Sequence, residues 1–399
     1  MEPKLNPSLE GQAPASCRKG RGATFCILPW IHICGSVDGV WGRCCMDGAM
    51  YHDHLYESAE EPVFALKPNA LGCTPESRYA TANSDCVGGV EDAFNSPNMR
   101  QTRLAMLDGR PVKACAHCYE REARGGESYR QKSNRRFGNL EGITDRIAQT
   151  ASDGRLDSFP FYLDLRLGNT CNLRCIMCTF PVSSGWARQK RHAWSPIKID
   201  PYSNDDQLWS TLRQNAHQLR YLYFAGGEPF LQAAHSKMLE LLIETGAAPQ
   251  IDVVYNSNLT ILPTDIFDKL AHFKNVAIGA SCDGTGKVFE RIRVGGRWET
   301  FVRNLRTAKQ YVRVWLQVAP QRDNIAHLGD LIEFAVSEGV EIDLTNIVQW
   351  PTELSIRSLP IEEKRQVEKQ LTVLIDECRS KLLDQVADHL TMLLAFMKS

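Results

Sequence analysis

Three cysteines stand at the spacing C-x3-C-x2-C in the stretch Cys171-Asn-Leu-Arg-Cys175-Ile-Met-Cys178. Three thiolates so spaced can wrap three irons of a [4Fe–4S] cube. The fourth iron then has no protein ligand, and an open iron can bind a small molecule and give it an electron. A structural zinc site is the competing reading, but it takes four protein ligands, and no fourth cysteine or histidine follows closely. An apolar run over 161–167 immediately precedes the triad. It reads as a strand, and in a parallel α/β sheet ligands bind at the C-terminal ends of the strands. The triad therefore stands where a cofactor belongs.

The elements that must position it follow from the same periodicity. Strand-like apolar runs at 161–167, 221–224, 251–255, 276–280, 312–318 and 342–348 alternate with helical patterns such as 234–245, 299–312 and 327–338. Such alternation implies a parallel sheet with helices on its outer face. Six units are fewer than the eight of a closed barrel. The expected fold is α/β, with a partial (β/α)6 TIM-like barrel over 155–350 and amphipathic helices over 351–399, beginning after Leu359 and Pro360. Upstream, 1–24 is polar and rich in Pro, Gly and Ala, a disordered lead-in by composition. A small cysteine-bearing domain is expected over 25–140. It has strands at 25–33 and 39–45, a long loop over 46–97 and a helix at 98–108.

Composition narrows the class. The chain has 399 residues, 43% hydrophobic and 23% charged, enough for two domains or one large α/β domain with an extension. A formal net charge of −1 gives no basis for broad electrostatic binding to nucleic acid or an anionic membrane. No apolar run approaches the roughly 18 residues that span a bilayer. The first 25 residues lack an apolar secretory core. With fourteen cysteines and no signal segment, the expected compartment is the cytoplasm, where clustered thiols more often bind metal than form disulfides.

Gly226, Gly227, Glu228 and Pro229 end the second strand about 50 residues after the triad. With this turn and a C-x3-C-x-Φ-C triad in which Φ is Met177, the chain resembles the radical S-adenosylmethionine (SAM) superfamily. The resemblance implies that Gly226, Gly227, Glu228 and Pro229 receive the methionine amino group of SAM. Glycines admit close backbone approach, and a carboxylate complements an ammonium. It also implies that Asn256 and Asn258, after the third strand, and Ser281, Cys282 and Asp283, after the fourth, touch ribose or substrate. Asp283 is expected to face the cleft. Cys282 should point away from it, since strand side chains alternate. Packing is the favoured role for Cys282, and hydrogen-atom donation the sharper one. The implied reaction is reductive cleavage of SAM to a 5′-deoxyadenosyl radical that takes a hydrogen atom from a substrate, with a flavodoxin or ferredoxin as electron donor.

A second constellation precedes the barrel. Cys26 is followed by twelve residues, Gly39, four residues and Cys44, and later by Cys115-Ala-His-Cys118. This is similar to the SPASM/twitch accessory domains, which implies a second, auxiliary [4Fe–4S] cluster enclosed by Cys26, Cys44, Cys115 and Cys118. In that family the domain follows the barrel, whereas here it lies before it. Spacing favours Cys44 over the adjacent Cys45. A zinc ribbon from the same four thiolates is the alternative. Cys73 and Cys86 fall outside the pattern. Trp30 reads as core or cluster shielding, and His32, His52, His54 and His117 as ordinary polar or packing residues.

The substrate end is least legible. The arginine-rich stretch 124–136 and Arg291, Arg293 and Arg297 read first as solvated surface. Residues 1–24 are too short to fold as a peptide-recognition module, which favours a small carbohydrate- or aminocyclitol-like substrate over a peptide. Oxidation or bond formation is the leading outcome. A thiol-dependent epimerisation, or a non-catalytic Fe–S or zinc-stabilised binding protein on the same fold, are the alternatives.

Overall fold

The structure, a computed structural model, describes residues 22–37, 39–46, 89–123, 125–178, 182–189 and 198–398. Cys73, Cys86, His52, His54, the lead-in over 1–21 and most of the expected 46–97 loop lie outside the described residues. The chain divides into two compact units, one of Met1–Asp164 and Asp205–Leu219, the other of Leu165–Asn204 and Arg220–Ser399.

In the first unit, Pro29 decides how the chain begins. Proline has no N–H for a strand ladder and suits the first turn of a helix. A single helical turn, Leu28–Ile31, therefore replaces much of the strand expected over 25–33, and strand β1 starts only at His32 (His32–Gly35). It pairs antiparallel with β2 (Trp41–Gly42), Cys34 opposite Gly42 and Gly35 opposite Trp41. Gly39, in the turn between them, has φ of 88°, a left-handed conformation glycine adopts without penalty. Trp30 is core: it is fully buried, stacks on Phe25 and donates its indole N–H to Thr150 Oγ1 at 2.9 Å.

The helix Pro97–Leu107 starts where Ser96 accepts from Met99 N and Pro97 takes the first position. Its Arg103 is fully buried. The planar guanidinium donates to the carbonyls of Pro29, Gly154 and Phe94 and to Asn95 Oδ1, so one side chain ties together four stretches of chain. Burial lowers its pKa to about 9. Arg103→Met keeps the stem but leaves three buried carbonyls without a donor. A loss of about 3 kcal/mol is expected, read as a lower urea midpoint for this unit. The residues 205–219 complete the unit. Leu208, Trp209 and Leu212 of the helix Asp206–Asn215 are buried. Asn215 Nδ2 donates to Glu91 Oε1 at 3.1 Å, and Gln218 Oε1 accepts from Phe159 N at 3.2 Å.

Strand β3 (Tyr162–Arg166) contains the boundary between the units. In the sheet order it is a neighbour of β1. In the second unit the strand order is β3, β4 (Tyr221–Ala225), β5 (Asp252–Ser257), β6 (Asn275–Ser281), β7 (Arg313–Gln317) and β8 (Glu341–Asp343). The pairings from β4 to β8 are all parallel, and parallel neighbours require crossovers. The helices Ala233–Glu244, Ile266–Leu270, Trp298–Ala308 and Leu328–Glu338 lie in those crossovers. Leu328, Leu331, Ile332 and Ala335 recur at the 3- and 4-residue spacing of one buried helix face, and Gly339 ends that helix with φ of 63°. The fold is thus α/β with a mostly parallel central sheet. The last strand is shorter than the expected 342–348, because Asp343 Oδ1 accepts from Thr345 N and turns the chain. Helices Ile361–Ser380 and Asp384–Lys398 follow, and Cys378 is buried among the apolar positions of the first. Among the described residues, no helix is long and apolar enough to cross a membrane.

Candidate active site

The triad loop leaves β3 through Gly168 and Asn169 and is stitched down on three sides. Cys171 N donates to Ser184 Oγ at 3.1 Å, and Trp186 Nε1 donates to Cys175 O at 3.0 Å. Residues Arg174–Cys175 form a short antiparallel ladder with Arg293–Val294, Cys175 lying opposite Arg293. The third side is the turn after β4, where Gly227 N donates to Gly168 O at 3.0 Å and Glu228 N to Thr170 O at 2.8 Å. A Cβ on Gly227 would stand 2.4 Å from Thr170 O, so glycine is what lets this turn close on the loop. Gly226 precedes it with φ of 103°, and Pro229 opens the 3-10 turn Pro229–Leu231. Cys171, Cys175, Met177 and Cys178 are all half-buried. Burial raises the Cys171 thiol to about 11, with the nearby Glu228 charge adding to it. Burial likewise raises Cys175, and the Arg293 charge opposes that rise. Unliganded, these sulfurs hold their protons, so a metal must displace them.

Glu228 is fully buried. Its carboxylate accepts from Ser257 Oγ at 2.8 Å, Asn258 N at 2.8 Å and Phe230 N at 3.3 Å. It therefore ties the second-strand turn to the end of β5. Asn258 Nδ2 in turn donates to Asn172 Oδ1 at 2.9 Å and lies 3.9 Å from Cys171 Sγ. The next residue, Leu259, has φ of 52°, strained for a side chain with a Cβ. Its carbonyl is held by Asn304 Nδ2 at 2.9 Å. Asn256 and Ser281 are half-buried at the ends of β5 and β6. A Cβ on Gly279, opposite Asn256 in the ladder, would stand 2.7 Å from Asn256 Oδ1.

Burial raises the Glu228 carboxyl to about 7, against its hydrogen bonds. The folded chain then keeps a proton that the unfolded chain releases. Stability of the metal-free protein is expected to fall as pH rises from about 4.5 to about 7, by up to about 1.4 kcal/mol per unit. Glu228→Gln should flatten that slope in urea titrations at pH 5 and 7.5.

Asp283, expected to face the cleft, is fully buried. Its Oδ1 accepts from Ala319 N at 2.7 Å, and its Oδ2 lies 2.7 Å from Arg293 Nη2. Arg293, expected on the surface, is buried as well, with Nη1 3.7 Å from Cys175 Sγ. A carboxylate–guanidinium–thiol line thus runs into the triad. Sequence reasoning missed Arg293; its one signal was the apolar Ile292 and Val294 flanking it. Cys282 is fully buried and gives its S–H to Gly284 O at 3.4 Å. Burial raises it to about 12.

In the first unit, Cys26, Cys44, Cys115 and Cys118 line one cavity of about 30 Å³, partly open to solvent, together with Tyr129 and Arg130. Cys45 is not among its lining residues. It interacts with the Cys44 thiol, and this hydrogen bond, then burial, holds Cys44 well above the usual thiol range. Burial raises Cys26 and Cys118 too. Among the described residues, no group of three or more His, Cys, Asp or Glu side chains is placed to hold a metal ion. Arg130, in the run expected to be solvated, is buried and paired with Glu122, and donates to Phe25 O at 2.7 Å.

Residues 165–335 match the family model of the radical SAM superfamily. Similar solved structures include Streptococcus suis SuiB bound to S-adenosylmethionine, at 13% identity and TM-score 0.40, covering 71% of this chain and 62% of that one. The same protein bound to the precursor peptide SuiA is 14% identical, with TM-score 0.41, covering 71% and 64%. Native anSMEcpe with bound AdoMet is 16% identical, with TM-score 0.43, covering 55% and 62%. The chain thus spans less than two thirds of the length of each of these structures. No curated protein matches the chain.

Proposed function

We propose that this chain is a radical SAM enzyme that carries two [4Fe–4S] clusters, one on Cys171, Cys175 and Cys178 and one on Cys26, Cys44, Cys115 and Cys118. The observation that carries the reading is the stitching of the triad loop to the Gly227–Glu228 turn, at a close approach only glycine permits. When bound, the first cluster and SAM supply reductive cleavage of the sulfonium and a 5′-deoxyadenosyl radical.

The chain's own residues do the positioning. Gly226, Gly227 and Pro229 shape the backbone that faces the amino group of SAM. Glu228 acts from behind, holding Ser257 and Asn258 in register with the triad. Met177 shields the third ligand, and Asn256 and Ser281 take ribose or substrate. Asp283 fixes Arg293, whose charge favours the thiolate form of Cys175. Cys282, with its proton engaged by Gly284 O, supports packing rather than hydrogen donation, which weakens the epimerase alternative. That the four thiols line one cavity in the first unit supports a shared metal site there. The substrate is a small polar molecule or a peptide that is oxidised or cross-linked; Cys26, Cys44, Cys115 and Cys118 would hold the second cluster, which would supply an electron acceptor. A flavodoxin or ferredoxin delivers the initiating electron.

Metal analysis of anaerobically purified protein tests the reading. About eight irons per chain, falling to about four in Cys171/Cys175/Cys178→Ala, are expected, with 5′-deoxyadenosine formed only by the unsubstituted chain. Four irons and one zinc would make the first unit structural, and no iron after reconstitution would sink the enzymatic reading.

A further inference from the structure

We propose that Arg293, held in place by Asp283, raises the reduction potential of the group on Cys171, Cys175 and Cys178. This deepens the reading of the triad as an iron–sulfur site and rests on it.

The backbone brings a fixed charge to the triad. Arg293 and Cys175 lie opposite each other in the two-residue ladder, and Ile176 N donates to Ile292 O at 2.9 Å along the same seam. The turn after the ladder closes with Gly296 N donating to Arg293 O at 2.8 Å. The Arg293 side chain is buried. Its Nη1 lies 3.7 Å from Cys175 Sγ, within reach of an N–H···S hydrogen bond. Nη2 lies 2.7 Å from Asp283 Oδ2. Nε is buried with no hydrogen-bond partner among the described residues. A guanidinium keeps its proton in a protein, so the charge is permanent and one N–H beside the triad is unused. A buried donor without a partner is unfavourable unless a negative group settles near it. An iron–sulfur cube on three thiolates is such a group.

Asp283 keeps that charge where it is. Cys282 N donates to Gln317 O at 3.0 Å, so the ends of β6 and β7 stay together. Just past β7, Ala319 N occupies Asp283 Oδ1 at 2.7 Å, which leaves Oδ2 for Arg293. Asp283 is thus a positioning residue. It also carries the opposite charge, so the sign of the combined effect depends on which group is nearer the triad. After burial, the charge of Arg293 acts on the Cys175 thiol more strongly than that of Asp283. Glu228, the other buried carboxylate of the site, adds to the effect of burial on Cys171. Cys282 keeps its S–H on Gly284 O and adds no charge. An electron entering the site adds one negative charge, which low-dielectric surroundings penalise and a nearby cation offsets. Net charge and hydrogen bonds to the sulfurs are among the factors that set such potentials. The step concerned is one electron from the flavodoxin- or ferredoxin-class donor, and no bond or proton moves with it.

The test is an EPR-monitored redox titration of the full chain, reconstituted anaerobically with iron and sulfide, at a single pH. The triad signal is the one absent from Cys171/Cys175/Cys178→Ala. Arg293→Gln keeps N–H donors and removes the cation. Its triad signal should titrate about 59 mV more negative, a tenfold loss in the reduced-to-oxidised ratio at a fixed potential. Asp283→Asn removes the opposing charge and should move the same signal to a more positive potential. A merely structural role would loosen the loop in both variants and shift them in one direction. Arg293→Lys keeps the cation and should restore most of the unsubstituted value. If Arg293→Gln does not fold or hold iron, the sign of the Asp283→Asn shift decides. Shifts of the same sign, or no shift, overturn the inference and leave the iron–sulfur reading standing. No iron on the triad of the unsubstituted chain overturns both.

Discussion

Cys171→Ala is expected to reduce 5′-deoxyadenosine formation to the level of a protein-free control and to remove about four irons per chain. The fold should survive. Cys171 is half-buried, and the loop around it is held by backbone bonds from Gly227 and Glu228 and by Ser184. The accessory iron should remain, because its four thiols belong to the first unit. A milder companion is Asn258→Ala, which removes the amide near Cys171 Sγ. Loss of such a supporting contact typically costs 10–100-fold in affinity or activity. Iron quantitation and product chromatography check both. Normal deoxyadenosine yield from Cys171→Ala would remove the triad from the chemistry.

Asp283→Ala is the second large effect. It would leave the Arg293 guanidinium buried without its carboxylate, and breaking a buried pair from one side costs about 3–5 kcal/mol. The urea midpoint of the second unit should drop accordingly. Asp283→Leu combined with Arg293→Met should recover most of that stability, because two apolar groups of similar size need no partner. The double variant should nonetheless hold iron poorly, since the guanidinium near Cys175 Sγ is gone. Stability and cluster retention thus separate in one pair of proteins. An Asp283→Ala midpoint within experimental error of the unsubstituted chain would show that Arg293 does not depend on Asp283.

What could be read beforehand depended on how local the determinants were. The triad, the Gly226–Gly227 turn and the six strand runs are short-range patterns, and the parallel strands of the second unit lie close to where alternation put them. The turn at Leu28–Ile31 was misread as strand because an apolar run does not distinguish the two, although Pro29 was there to be weighed. Arg293 was misread for a different reason. Its burial comes from a two-residue ladder with Cys175, 118 positions away, and no local periodicity encodes such a pairing. The same holds for Asp283, whose partner was taken for a surface residue.

The first unit is not continuous in sequence, and this bears on how the protein is made. Its last piece, 205–219, is synthesised only after residues 165–204. A ribosome feeds chain out from the N-terminus, so Cys171, Cys175 and Cys178 have also emerged by the time the helix Asp206–Asn215 completes the first unit. The residues that line the four-cysteine cavity, in contrast, all lie between Cys26 and Arg130 and are made before any of the triad. A fragment cut at the boundary inside β3 would keep those residues and lack the helix that completes the first unit.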